Sequence, residues 1–168
     1  WIPWKTKYIN LVKDFNFNLL PTNVSLKADL DRQFGEANLR KISPDEVAIA
    51  PTFNKYFRMT RTYGIKYDLA RSISIDFNAI NNSRIDEPDG RIDTKEKRDT
   101  IITRIKQLKR TTDYHHDLTV NYTLPFSKFP LTDWINSRAT YSAGYTWLTA
   151  PLTMENLGNT IQNNQNKQ

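Results

Sequence analysis

Two-residue alternation, sustained over whole segments, constrains this chain more than any other feature. In "RATYSAGYTWL", residues 138–148, Ala139, Tyr141, Ala143, Tyr145 and Trp147 share one parity. Arg138, Thr140, Ser142, Gly144 and Thr146 share the other. Successive side chains of a strand point to opposite faces, so this segment predicts a strand with one apolar, aromatic face and one small, polar face.

Five further segments follow the rule. Residues 11–19 put Phe15, Phe17 and Leu19 in phase, and "LPTN" at 20–23 is expected to turn the chain. Residues 24–34 set Val24, Leu26, Ala28 and Leu30 against Ser25, Lys27, Asp29 and Asp31. Residues 53–68 are less clean, because Lys55 and Arg61 fall on the parity of Phe57, Met59, Ile65 and Tyr67. After a reversal at "DLARS", residues 72–80 oppose Ile73, Ile75 and Phe77 to Ser74, Asp76 and Asn78. Residues 114–124 alternate Tyr114, His116, Leu118, Val120 and Tyr122 with His115, Asp117, Thr119, Asn121 and Thr123. The sixth is the segment quoted first, with a strand expected over 137–148.

Long connections at 35–52 and 81–111 separate hairpins joined by shorter turns. The second opens with "NNSRIDEPDGRID" and continues into Ile101, Ile102, Ile105 and Leu108 at helical spacing. It predicts a helix over about 95–109 capped by Thr94. Globular strands average about 5 to 6 residues, so segments of this length, with brief turns alternating with long loops, favour a transmembrane barrel over a soluble sandwich. The fold expected is all-β: an antiparallel up-and-down meander of six long strands, a slice of a large barrel, with one helix in a long loop. No apolar run approaches the roughly 20 residues of a membrane helix. The first residue, Trp1, and the tail "NTIQNNQNKQ", which is expected to close no element, suggest a fragment, residues 1–168, of a longer chain.

Catalytic chemistry leaves no pattern. There are no cysteines, no phosphate-cradling glycine loop and no nucleophile elbow, so no enzyme and no cofactor is expected. His115 and His116 are adjacent, and a strand sends them to opposite faces, so no metal site is expected there. The acids of "DEPDGRID" lack EF-hand spacing and predict instead a rigid loop tied by acid-to-backbone hydrogen bonds. A net charge of +6 permits an anionic partner. In "KYFRMTRTYGIKY", however, rings and bases do not share a face, and no nucleic-acid partner is expected. Arg61 on the apolar parity requires either a rim position or a parity shift at Gly64.

The stretches "DFNFNLLPTNVSLKADLDRQFGEANLR", "NNSRIDEPDGRIDTK", "FPLTDW" and "LGNTIQNNQNKQ" together resemble the SprA (Sov) family, in order along nearly the whole chain. These are the giant outer-membrane translocons of type IX secretion and gliding motility in Bacteroidota. The resemblance implies one very large single-chain barrel in the bacterial outer membrane. Folded cargo proteins with a C-terminal signal pass through its lumen and leave sideways towards a PorV-like, lipid-anchored shuttle, while a plug protein closes the periplasmic end.

On that reading Lys27, Asp29, Arg58, Lys66, Asp76, Asn78, Asn121 and Arg138 face a wet lumen. Val24, Leu26, Leu30, Ile73, Ile75, Leu118, Val120 and Tyr141 face outer-membrane lipid. The competing expectation is a soluble β-sheet binding module, lectin-like or lipid-binding, with the aromatic face turned inward.

Overall fold

A computed structural model describes residues 17–40, 49–108, 110–128, 132 and 134–168. It contains six strands: β1 (Asn23–Ala37), β2 (Thr52–Ala70), β3 (Ile73–Arg84), β4 (Thr111–Leu124), β5 (Ser137–Leu148) and β6 (Thr160–Lys167). One α-helix among the described residues, α1 (Lys95–Gln107), lies between β3 and β4, and short 3-10 turns follow β4 and β5. The strands form one sheet in the order β1-β2-β3-β4-β5-β6, an up-and-down meander in which each strand pairs with its neighbours in sequence. None of the helices is long and apolar enough to cross a membrane among the described residues.

Six strands were expected and six are present, but the sets differ at both ends. Residues 11–16 of the expected first strand lie outside the described residues. Phe17 bridges Ala70 antiparallel, and the Asn18 N–H donates to the Leu69 carbonyl at 3.0 Å. Residues 17 and 18 therefore lie along the same edge of β2 that β1 occupies, so "LPTN" interrupts that edge instead of reversing the chain. Asp68 holds the interruption through the Thr22 hydroxyl, which donates to its carboxylate at 2.9 Å.

At the other end the tail, expected to close no element, forms β6 and pairs antiparallel with β5, Trp147 opposite Ile161 and Tyr141 opposite Lys167. "TIQNNQNK" lacks the apolar alternation by which a strand is recognised. Backbone pairing to β5 alone makes it one.

The strands divide between two compact units. The first contains the described residues up to Lys27, Thr62–Ile80 and Asp113–Gln168. It is a single layer: among its described residues Ala79 alone is both apolar and buried. The β4 to β5 register runs without a break from Asp113 opposite Leu148 to Leu124 opposite Ser137.

The second unit, Ala28–Arg61 and Asn81–Thr112, contains the small core. Phe57, Ile85 and Ile101 are buried together, with Met59, Ile92 and Ile105 packed against them. Here α1 lies on the Phe57 and Met59 side of β2. Thr94 caps the helix by accepting from the Lys97 N–H, and Leu108 ends it in left-handed conformation at φ 49°. Ile101 and Ile105, four apart, form the stripe that meets the sheet, while Ile102 is turned away and 49% exposed.

That division makes a test. Truncating a buried isoleucine costs about 2 to 4 kcal/mol, less where the site can collapse. Ile101→Ala is expected to speed amide exchange across residues 95–107 by roughly a hundredfold, the equivalent of about 3 kcal/mol of lost docking. Ile102→Ala is expected to leave it within about threefold of the parent, as is usual for exposed sites. Hydrogen exchange read by mass spectrometry on the full-length protein checks both.

Candidate functional site

The two faces of the sheet are the candidate site. In the first unit, neighbours across strands fix which residues share a face. The Ser25 hydroxyl donates to the Gly64 carbonyl at 3.4 Å, and a Cβ on Gly64 would lie 2.5 Å from that hydroxyl and 3.5 Å from Asn78 Oδ1. Glycine is needed there because two neighbouring strands crowd the position. Ser25, Gly64 and Asn78 therefore share a face, and alternation adds Lys27, Lys66 and Asp76 to it. On β4 and β5 the same polar face continues with Asn121, whose amide oxygen accepts from the Thr140 hydroxyl at 3.1 Å, and with Arg138 opposite Thr123.

His115 stands on this face between Thr146 Oγ1 at 2.8 Å and Asp117 Oδ2 at 2.7 Å. Beside them is a cleft of about 490 Å³ whose wall includes Gln162, Asn164 and Asn166 of β6. His115 thus bridges a hydroxyl and a carboxylate, and both ionisable side chains are exposed.

The opposite face is apolar. Ring contacts tie Phe77 to His116 at 5.6 Å, His116 to Tyr145 at 5.3 Å and Tyr114 to Tyr145 at 6.2 Å. Phe77 shares its parity with Ile73 and Ile75. His116 shares its parity with Leu118 and Val120, and Val120 stands opposite Tyr141. Ile73, Ile75, Leu118, Val120 and Tyr141 are only half-buried. On β1, Val24 is 63% exposed, Leu26 72% and Leu30 55%. In sequence, Asp29 shares the parity of Lys27 along β1, and Arg58 shares that of Lys66 along β2. At β6 the apolar parity keeps only Ile161, opposite Trp147. Opposite Tyr145, Ala143 and Tyr141 stand Asn163, Gln165 and Lys167.

The two cations on the apolar parity of β2 are each accounted for in the second unit. Lys55 donates to the carbonyls of Pro88 and Gly90, with its ammonium 6.0 Å from the Phe34 ring and 5.8 Å from that of Phe53. Arg61 donates to Asn81 Oδ1 at 2.8 Å, while its Nε is buried without a partner among the described residues. The Arg61–Asn81 pair and the Gly64–Asn78 pair keep one register, so there is no parity shift at Gly64.

The loop "DEPDGRID" is held in part as its composition suggested, by the backbone N–H of Asp93 on its own carboxylate. Arginines from other elements hold two more of its acids. Arg32 pairs with Glu87, whose side chain is 2% exposed, and Arg110 pairs with Asp86. The Asp86 carbonyl accepts from Arg104 at 2.5 Å. Arg91 reaches back to Glu36 at the end of β1 through two bonds of 2.7 and 2.6 Å, the forked geometry that makes arginine pairs directional. Arg32 and Glu36, four apart on one face of β1, are the part of this lock that sequence reading missed. Their signal was an acid and a base at strand spacing beside a loop of alternating sign. No group of three potential metal ligands converges among the described residues.

Arg91 and then Asn38 hold the Glu36 carboxyl below its ordinary range. Asp93 is lowered by its own backbone N–H and then by Lys97. A carboxyl depressed in the native state adds stability above its unfolded pKa and loses it as pH falls through the native value. The lock is therefore intact at neutral pH and loosens below about pH 4.3. Pepsin cleavage within 85–94 is expected to rise between about pH 5 and about pH 3, and Arg91→Ala is expected to bring that rise to a higher pH.

No protein-family model matches the chain, and no curated protein matches it.

Proposed function

We propose that this sheet is a wall segment of an outer-membrane translocon that passes folded proteins through a polar lumen, the type IX secretion and gliding role suggested by the SprA (Sov) resemblance. The observation that carries the reading is the single layer. Ile75, Leu118, Val120 and Tyr141 lie on one face with no described residue layered over them, and the other face bears Lys27, Asp29, Asp76 and Arg138.

Burying a large aliphatic side chain is worth about 1.5 to 3 kcal/mol, so a row of them left in water is a heavy cost for a soluble domain. Hydrocarbon removes that cost. The strands of 12 to 19 residues from β2 to β5 exceed the roughly 9 to 11 that a tilted bilayer crossing needs. Val24, Leu26 and Leu30 extend the lipid-facing surface onto β1, and β6 marks its boundary, since Asn163 and Gln165 are ill suited to lipid.

The opposite face suits transport. A lumen wide enough for folded cargo stays filled with water, and a wall carrying both signs of charge beside Asn78, Asn121 and Arg58 offers passing surfaces neither a greasy patch nor a single-sign field. Cargo with a C-terminal signal, a PorV-like shuttle and a plug protein are the partners of this reading.

A photo-crosslinking amino acid at Asn121 in the full-length protein is expected to capture secreted cargo in growing cells, and one at Val120 to capture none. Equal capture from both positions would contradict the assignment of faces. Recovery of the full-length protein from the soluble fraction without detergent would remove the membrane wall altogether.

A further inference from the structure

The helix α1 presents a second surface that packing on β2 does not use. Lys95, Arg98, Ile102 and Lys106 succeed one another at spacings of three and four, which places them in one row along the helix beside the buried Ile101 and Ile105 stripe. All four are exposed. Asp99 is the acid next to that row, so the row remains cationic overall.

The row borders a groove of about 780 Å³ whose walls include Phe34, Phe57, Ile101 and Ile102. Phe34 and Ile102 are exposed apolar side chains beside open space. Three arginines and two acids line this groove, and both acids are already paired, Glu36 with Arg91 and Asp93 with Lys97. Two of the arginines are already engaged, Arg32 by Glu87 and Arg91 by Glu36. The third, Arg98, makes no side-chain hydrogen bond or ion pair among the described residues. An unpaired guanidinium next to exposed phenyl and isoleucine groups is complementary to one class of ligand, an anionic headgroup attached to an apolar chain.

We propose that α1 is an interfacial helix that binds an anionic phospholipid, with the phosphate at Arg98, flanked by Lys95 and Lys106, and an acyl chain against Ile102 and Phe34. The proposal rests on the membrane-wall reading and deepens it. The helix packs on Phe57 and Met59 through Ile101 and Ile105, which leaves the row of Lys95, Arg98, Ile102 and Lys106 open. An amphipathic helix with cations beside apolar residues is the form that lies in the headgroup plane. The lipid tail separates this site from a simple anion site, because Ile102 and Phe34 contribute nothing to inorganic phosphate.

Each cation near an anionic lipid surface contributes about fivefold to binding, so reversing Arg98 changes affinity by roughly 25-fold. The test uses the full-length protein in a neutral detergent, titrated with short-chain phosphatidylglycerol or phosphatidylcholine, with bound lipid counted by native mass spectrometry. Preferential retention of phosphatidylglycerol is expected, weakened about 25-fold by Arg98→Glu, kept by Arg98→Lys and weakened by Ile102→Asp. Amide exchange across 95–107 verifies that the helix is still docked in each variant.

Unchanged phosphatidylglycerol retention in Arg98→Glu would overturn the proposal. So would full displacement by inorganic phosphate with no effect of Ile102→Asp, which is the behaviour of an anion site without a lipid. A protein that proves integral to the membrane but shows either result loses this site alone. One that needs no detergent loses the wall reading first.

Discussion

Backbone alternation links every apolar side chain of this sheet to a polar neighbour on the opposite side. Because the side-chain period of a strand is two, Ile75 cannot be covered without Asp76 being turned the other way, and Val120 cannot be covered without Asn121 being turned with it. One sheet therefore needs two different media, a dry one and a wet one. In the second unit the chain supplies the dry medium itself, by laying α1 over Phe57 and Met59. In the first unit no described layer does so, and the membrane reading follows from that difference.

The same constraint explains how the exceptions are handled. A cation on the dry parity of a strand costs about 2 to 4 kcal/mol at the centre of a bilayer and close to nothing near its surface. Lys55 and Arg61 both occur in the second unit, where carbonyls of the loop and the Asn81 amide receive them. Arginines from β1, α1 and the residues before β4 then hold the loop to the strand ends. In this unit charge pairs work beside the small apolar core of Phe57, Ile85 and Ile101.

Much of this was legible in the sequence, for physical reasons that differ by residue. Alternation announced β2 to β5 because each has two chemically distinct faces, and Thr94 with its isoleucines announced α1. Alternation was silent on β6, where Asn and Gln occupy both parities and only pairing to β5 creates the strand. It misread "LPTN", because proline and asparagine mark a break in a strand edge as readily as a reversal. The lock between Arg32, Glu36, Glu87 and Arg91 joins residues about 55 apart, a distance over which no local pattern carries information. The rings around His116 were assigned to one face by parity, yet their mutual contacts depend on a register that only the paired strands fix.

The central claim is that neighbouring residues on β3 meet opposite media. These 168 residues contain no cysteine, so a cysteine introduced at 75 or 76 has no native thiol beside it in this sequence, and labelling is read against the parent full-length protein. Paired labelling at positions 75 and 76 in intact outer membranes is the most direct measurement. The account predicts that a water-soluble maleimide modifies Asp76→Cys and spares Ile75→Cys, and that a lipid-soluble quencher reaches a probe at 75 but not one at 76. Modification of both positions at the same rate, or the reverse order, would contradict it.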